Sequence, residues 1–519
     1  MVLVSGALVA LLICCFAIEH VHSFCVNLRG RGSVRMRGFR ASDKGVLATE
    51  GTIKVAKGAV IGADDDQLES CELSSEGLAE DCNKRKVAGG SGYQPLAPSV
   101  WTVFGELASA TKACNLGQGF PDWAPPQFML DSLRDAIDSP FHQYTRPAGH
   151  PELVELLGER YSKHMDREID PYRELTVTVG ASQALFLTLT TLLEPGDEVA
   201  MFDPYFDLYL KQLKAIAPKA VPKFITLGSA GVDKKPNPRA NEADPWAVDV
   251  NSLESAITDK TKVLLLNSPH NPTGKVFSLE ELRAIAKVVE KYPDLVVVSD
   301  EVYKFSIYDA LEVGDSTARG HYHFARLPGM WDRTVTLSSA GKTFSATGWQ
   351  IGWVVGPERY TRPIHDLIPC VQFCANTPAQ HAFCNALTVA NEPYEGEENF
   401  YSWLRLQFSS KRAKLEKGLR AAGMVPVPSH GGYFLMARLP NNHPLVSEDG
   451  DEPYDWRFCR MLAHEYGVIG IPASSFFATE RQSLEVDGEK AWFARFAFCK
   501  KDKTIEEAAK RLEDNSHKM

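Results

Sequence analysis

From about residue 94 the chain alternates short continuous apolar runs with longer helical stretches. Leu175–Val179 reads LTVTV and stops at Gly180, after which 185–193 continues as an apolar helix closed by Glu194-Pro195-Gly196. Further strand-like runs fall at 198–202, 263–266, 295–298, 334–337 and 352–355. Runs without an alternating polar face fit strands buried on both sides, so the pattern predicts an α/β domain with a mostly parallel sheet covered by helices. After about residue 379 the texture changes to helices with two strand-like pieces, 431–437 and 493–498, which predicts a second, smaller α+β domain. The expected boundaries are 125–378 for the large domain, with 94–124 and 379–515 forming the small one. No internal repeat is visible.

Polar clusters stand directly behind three of the strands. Asn267 to Gly274 (NSPHNPTG) follows one, Asp300 ends another, and Ser338 to Lys342 (SSAGK) follows a third. Ligands of open α/β sheets bind beyond the strand carboxyl ends, so three such clusters predict a single shared site.

Composition removes several classes of function. Apolar residues are 44% and charged residues 24% of 519, ordinary for a globular protein. A net charge of −10 argues against nucleic acid as a partner. Mean hydropathy of −0.20 argues against a multi-span membrane protein. The 11 cysteines are irregularly spaced and include no CxxC, which fits neither a disulfide framework nor a cysteine-based zinc site, and no metal is expected.

The first ninety residues read as targeting and linker. Residues 1–23 have the apolar run and small −3/−1 residues (Val21, Ser23) of a signal peptide, although the run lacks a preceding Lys or Arg and is long enough for an anchor. Residues 24–42 carry Arg29, Arg31, Arg35, Arg37 and Arg40 and no acid, a transit-like composition. Residues 43–93 contain eight acids and no base between Asp64 and Cys82, then a Gly-Gly-Ser-Gly run, and read as a disordered acidic linker. A signal followed by a Phe-initiated transit-like segment resembles the bipartite presequence of complex plastids. Plastid delivery is therefore the expectation, with the secretory pathway or ER, or the mitochondrion, as alternatives. No stable membrane association of the mature protein is expected.

Four residues in the folded part have chemical potential, and each also has an ordinary reading. Lys342, between Gly341 and Thr343, is a covalent catalyst if its pKa is lowered, or a loop lysine. Asp300, at the end of an apolar strand, needs a cation or donors if buried, or caps a helix. Asn271, in a turn stiffened by Pro269 and Pro272, presents an amide to a ligand or serves the turn. Arg495, inside ARFAF, grips a carboxylate bidentately or closes an internal salt bridge. Together they point to pyridoxal 5'-phosphate, which requires a Schiff-base lysine and an acid at its ring nitrogen. Gly180 to Gln183, opening a helix after a strand, is suited to the phosphate.

The stretches NLGQGFPDW, QYTRPAGHPELV, LTVTVGASQALF, GDEVAMFDPYFDLY, LLNSPHNPTGKVFS, VSDEVY, LPGMWDRTVTLSSAGKTFSATGWQIGW and GGYFLMA resemble the fold type I, class I/II aminotransferases. They are most similar to the kynurenine/glutamine transaminases, also known as cysteine-S-conjugate β-lyases. The resemblance spans roughly 95–515. It implies Lys342 as the Schiff-base lysine, Asp300 at the ring nitrogen, and Tyr303 and Asn271 at the ring hydroxyl, Asn271 also reaching the substrate carboxylate. It implies Phe206 and Val302 on the two ring faces, and Ala181, Ser182 and Ser339 at the phosphate. It implies Tyr144 reaching the phosphate of a neighbouring subunit, and hence a homodimer with shared sites. It implies Arg495 as the α-carboxylate clamp, helped by Gly117.

Two features depart from that pattern. The family usually has Lys or Arg eight residues after the Schiff-base lysine, where this chain has Gln350. The interval from Asp300 to Lys342 is also longer than usual, with the excess near 311–322, which reads as a surface insertion. Trp101, Tyr144, Phe373 and Phe476 fall where the family builds an aromatic side-chain pocket, though any of them also serves as packing. The implied reaction is ping-pong transfer of an amino group from an aromatic, sulfur-containing, glutamine- or kynurenine-type amino acid to a 2-oxo acid, with C–S β-lyase chemistry as a side activity.

Overall fold

The computed structural model describes residues 99–518, except 218–219, 229–245, 309–319, 447–451, 479–482 and 487–488. The presequence and linker expectations fall outside the described residues. The strands, in chain order, are β1 (Cys114–Asn115), β2 (Leu175–Val179), β3 (Glu198–Asp203), β4 (Val221–Thr226), β5 (Thr261–Asn267), β6 (Val296–Asp300), β7 (Thr334–Ser339) and β8 (Ile351–Val355). They continue with β9 (Val425–Pro426), β10 (Phe434–Arg438), β11 (Val468–Ile469), β12 (Ile471–Pro472), β13 (Leu484–Val486), β14 (Glu489–Ala491) and β15 (Phe493–Ala497).

Seven strands form the main sheet in the order β2-β8-β7-β6-β5-β3-β4. Every strand except β8 runs in one direction; β8 is antiparallel to both β7 and β2. A parallel return needs a crossover of a dozen or more residues with its own helix, and the segment 340–350 supplies only tight turns, so β8 reverses. The central strands β5, β6 and β7 are buried almost throughout, as continuous apolar runs require. Helices cover both faces. Leu187, Leu213, Ile364 and Ile368 pack with Val199, Val298 and Val354 in one cluster, while Leu282, Ile285, Val297 and Phe344 belong to the larger core.

Strand β4 was not legible in the pattern. Its sequence VPKFIT is half-exposed and contains a proline, which suits the edge position it holds beside β3. The helix expected over 185–193 begins at Gly180 and ends at Leu192.

A smaller four-stranded sheet, β12-β15-β10-β9, uses the two strand-like pieces read from the later sequence. β10 and β15 pair antiparallel, Met436 opposite Arg495. β1 pairs with β11, so the segment before residue 116 joins the C-terminal part of the fold. Both sheets belong to one compact unit, Ala97–Met519. No helix among the described residues is long and apolar enough to cross a membrane.

Candidate active site

The carboxyl ends of β5 and β6, the turn after β7 and the start of helix Gly180–Leu192 open onto one cavity of about 430 Å³. Asn267, Asn271, Asp300, Val302, Tyr303 and Lys342 line it from the sheet side. Ala181, Ser182 and Phe206 line it from the helix side, and Trp101, Phe434 and Arg495 from the smaller sheet and the N-terminal helix. Three polar clusters distant in sequence are thereby brought to one place.

Asp300 is the last residue of β6, and the protein encloses it except where it meets the cavity. One carboxylate oxygen accepts from Tyr209 Oη at 2.6 Å and the other from the Val302 N–H at 3.3 Å. Burial pushes its pKa up, while the Tyr209 and Val302 bonds pull it back down. Among the described residues it makes no ion pair, so a carboxylate sits at a strand end without a cation against it. Burial lowers the pKa of the Lys342 amine, against the opposing pull of Cys499 and Asp300. Its Nζ lies 6.0 Å from the centre of the Tyr433 ring. A lysine shifted in this direction is readier to act as a nucleophile and proton carrier near neutral pH.

Asn271 sits in a self-closed turn. Gly274 N–H donates to the His270 carbonyl, His270 N–H donates to the Lys275 carbonyl, and His270 Nδ1 and Thr273 Oγ1 are 2.8 Å apart. Gly274 has φ +71°, and a Cβ there would lie 2.0 Å from Ser429 Oγ, so the turn needs glycine on both counts. Asn267 ties this turn to Asp300: its Nδ2 donates to the Asp300 carbonyl at 2.9 Å and its Oδ1 accepts from the Asn271 N–H at 2.7 Å.

Arg495 projects from β15 and is 1% exposed. Nη1 donates to Asn271 Oδ1 and Nη2 to the Gly117 carbonyl, each at 2.9 Å, while Nε is buried without a hydrogen-bond partner. The rings of Phe434, Trp101 and Phe476 surround the guanidinium at 4.0, 4.7 and 4.8 Å. Burial pulls its pKa down to about 10, which leaves it charged at neutral pH. Trp101 is itself fixed by Nε1 donating to Asp207 Oδ2 at 2.9 Å.

The remaining residues singled out in the sequence lie outside the cavity lining. Ser339 ends β7 opposite Gly352 and is buried toward Tyr161, Lys304 and Thr343. Gln350 is exposed; its side chain donates back to the Thr347 carbonyl and its own carbonyl accepts the Gly180 N–H at 2.8 Å. Gly117 and Phe476 act on Arg495 from behind. Tyr144 and Phe373 are 78% and 45% exposed, with ring centres 4.5 Å apart. Sequence reasoning missed Tyr209, Asn267 and Phe434. Tyr209 ends the quoted run GDEVAMFDPYFDLY and Asn267 opens the turn sequence, but neither carries a charge that would have marked it.

These residues fit an aromatic aldehyde cofactor with a cationic ring and a phosphate. Asp300 makes no ion pair among the described residues, Lys342 is shifted toward its free amine, and helix Gly180–Leu192 starts without a side-chain cap, with Ala181 and Ser182 on the cavity wall. The fold and the site together define a lysine-dependent α/β transferase. Comparison with known proteins makes this specific. Residues 111–512 match the family described as aminotransferase class I and II, and the chain belongs to that family. The kynurenine–oxoglutarate transaminase of Dictyostelium discoideum is 39% identical over 434 residues, covering 80% of this chain and 94% of the relative. The human kynurenine–oxoglutarate transaminase 3 is 38% identical over 416 residues, covering 80% and 87%. Among solved structures, YbdL of Escherichia coli, for which a methionine aminotransferase function has been identified, superposes with a TM-score of 0.69 at 27% identity, covering 83% of this chain and all of that one. The protein is a pyridoxal-phosphate-dependent aminotransferase of fold type I acting on amino acids and 2-oxo acids.

Proposed function

We propose that the enzyme transfers the amino group of an aromatic, sulfur-containing, glutamine- or kynurenine-type L-amino acid to a 2-oxo acid by a ping-pong route. The observation that carries this reading is the setting of Arg495: a buried guanidinium ringed by Trp101, Phe434 and Phe476, with Asn271 at its tip. Among the described residues lining the cavity, Arg495 and Lys342 are the cations, so a substrate carboxylate has a partner while a second, side-chain carboxylate has none to spare. That favours large neutral side chains over aspartate. Kynurenine in the name of one relative and the methionine aminotransferase function of another fit that preference for the amino donor.

The bound cofactor supplies an electron sink for cleavage at the substrate Cα. The chain supplies the rest. Arg495 and Asn271 hold the α-carboxylate and so orient Cα. Asp300, braced by Tyr209, would keep the ring nitrogen protonated, and Tyr303 would hold the ring hydroxyl. Phe206 and Val302 flank the ring, and Ala181 and Ser182 offer N–H groups to the phosphate. Lys342 would anchor the cofactor, and its amine, once free, would take the Cα proton and hand it on. Tyr144 and Phe373 belong to a subunit interface in this reading, which makes the active form a homodimer. The seven-stranded and four-stranded sheets are then the cores of the 125–378 lobe and of the 94–124 and 379–515 lobe, and residues 1–42 direct the protein to a plastid.

A donor–acceptor screen on the cofactor-loaded full chain tests the substrate. Turnover of kynurenine, phenylalanine, methionine or glutamine with 2-oxo acids, giving parallel double-reciprocal lines, is the expected result. Aspartate as the best donor, or pyruvate as the main product from a cysteine conjugate, would overturn it. A reporter fused to residues 1–60 tests the destination: plastid fluorescence is expected, and secretion or ER retention contradicts it.

A further inference from the structure

Strand β6 ends in two successive carboxylates with different surroundings. Asp300 faces the cavity, whereas Glu301 is fully buried beside residues that lie within the unusually long interval noted in the sequence. His321 and His323 converge on one of its oxygens: His323 Nδ1 lies 2.5 Å and His321 Nε2 3.1 Å from Glu301 Oε2. The three donor atoms all lie within 4.8 Å of one another, and the side chains are 1%, 0% and 5% exposed for Glu301, His321 and His323. Around this group there is a supporting shell. Ser299 Oγ donates to the other carboxylate oxygen at 3.0 Å, and the His164 ring stacks on His323 at 5.3 Å.

An ordinary ion pair accounts for the His323 contact and leaves the rest unexplained. His321 Nε2 faces the same carboxylate oxygen without the alignment of a hydrogen bond and is buried with no hydrogen-bond partner. Leaving a buried polar nitrogen unpaired costs about 1–3 kcal/mol. A cation at the convergence point uses the inward nitrogen lone pairs together with the carboxylate.

We propose that Glu301, His321 and His323 bind a zinc ion, with water in the fourth position. Two imidazoles and a carboxylate suit zinc, whereas magnesium and calcium call for all-oxygen shells. Tetrahedral ligands at zinc stand about 3.3 Å apart, so the His321 contact at 3.1 Å is near that spacing, while His323 Nδ1 at 2.5 Å must move outward to admit the ion. The nearby Lys304 ammonium is held by Tyr161 Oη at 2.8 Å and weakens binding without blocking it. The ion would fasten the segment after 309–319 to the residue adjoining Asp300. Cysteine spacing carries no information about such a site, which is why no metal was expected from it.

The test uses the full-length, cofactor-loaded enzyme soaked in zinc chloride and desalted. Elemental analysis is expected to find about one zinc per chain, with a higher melting temperature that EDTA reverses. The His321→Asn/His323→Asn double variant, with its cofactor absorbance intact, is expected to retain no zinc and show no zinc-dependent melting shift. If that variant does not fold, cobalt substitution of the wild type decides, through tetrahedral visible bands and shifted imidazole proton resonances. Absence of retained zinc and of any melting shift in the wild type overturns the proposal. So does zinc that persists in the folded double variant, or cobalt spectra without imidazole ligation.

Discussion

The Asp300 carboxylate is held by groups of unequal strength, and the stronger of them was not visible in the sequence. The Tyr209 hydroxyl lies 2.6 Å from it and lowers its pKa, whereas burial raises it. A hydrogen bond to a charged group is worth about 1.5–3 kcal/mol. Tyr209→Phe should therefore lower kcat/KM about 10- to 100-fold. It should also move the acidic limb of the pH profile upward, because Asp300 must lose its proton against less support. An unchanged acidic limb would assign Tyr209 to packing alone. At Arg495 the two terminal nitrogens donate to separate acceptors, Asn271 Oδ1 and the Gly117 carbonyl. Arg495→Lys should raise KM for the amino acid about 10- to 100-fold with a smaller change in kcat, measured by steady-state kinetics. Lys342, Asp300, Asn271 and Arg495 were legible because each is a charged or amide group set in an apolar strand or a stiff turn. Tyr209 and Phe434 were not, because an aromatic in a helix or strand reads first as core.

Among the elements, the approach of helix Gly180–Leu192 to β8 is the closest constraint on the site. A Cβ on Gly352 would lie 2.4 Å from the Gly180 carbonyl carbon and 2.7 Å from the Ala181 nitrogen, both backbone atoms with little room to yield. Gly352→Ala should push the helix start off the cavity wall and weaken cofactor binding at least tenfold, read by fluorescence titration of the cofactor-free protein. Equal affinity would show that the helix start does not hold the phosphate. A second element links to Arg495 through its surroundings. Asp455, in helix Tyr454–Met461, accepts from the Ser474 N–H at 2.7 Å and from its hydroxyl at 3.0 Å, two residues before Phe476. Burial pushes Asp455 from 3.8 up to about 7. Between those values the folded state holds a proton that the unfolded chain has lost, so stability falls as pH rises from about 4 to 7 and is level above, by at most about 4 kcal/mol. Melting temperatures at pH 5 and pH 7.5 should therefore differ less in Asp455→Asn than in the wild type; an equal difference would remove Asp455 from the account. Of the six strand-like runs in the large domain, five take the common direction that the pattern suggested, since a continuous apolar run reports burial on both faces. The direction of β8 depended on connection length rather than on its own residues, and β4 was hidden by Pro222 and Lys223.

For the whole molecule, the exposed pair Tyr144 and Phe373, with Val371 beside them at 54% exposure, is the surface expected to be covered in the active form. Sedimentation at micromolar concentration should give a dimer, and Tyr144→Ala should reduce cofactor affinity there. A monomer with full activity would refute shared sites. The exposure of these aromatics could not be read from the chain, because an aromatic in a buried core and one at a subunit contact look alike in a sequence.

The central claim is that Lys342 carries the cofactor while Asp300 holds its ring nitrogen. Borohydride reduction of the cofactor-loaded protein fixes the link covalently, and peptide mass spectrometry then locates it. The pyridoxyl mass is expected on the peptide containing Lys342, and its loss, together with activity, in Lys342→Ala. The same mass on another lysine, or none on a fully active enzyme, would contradict it.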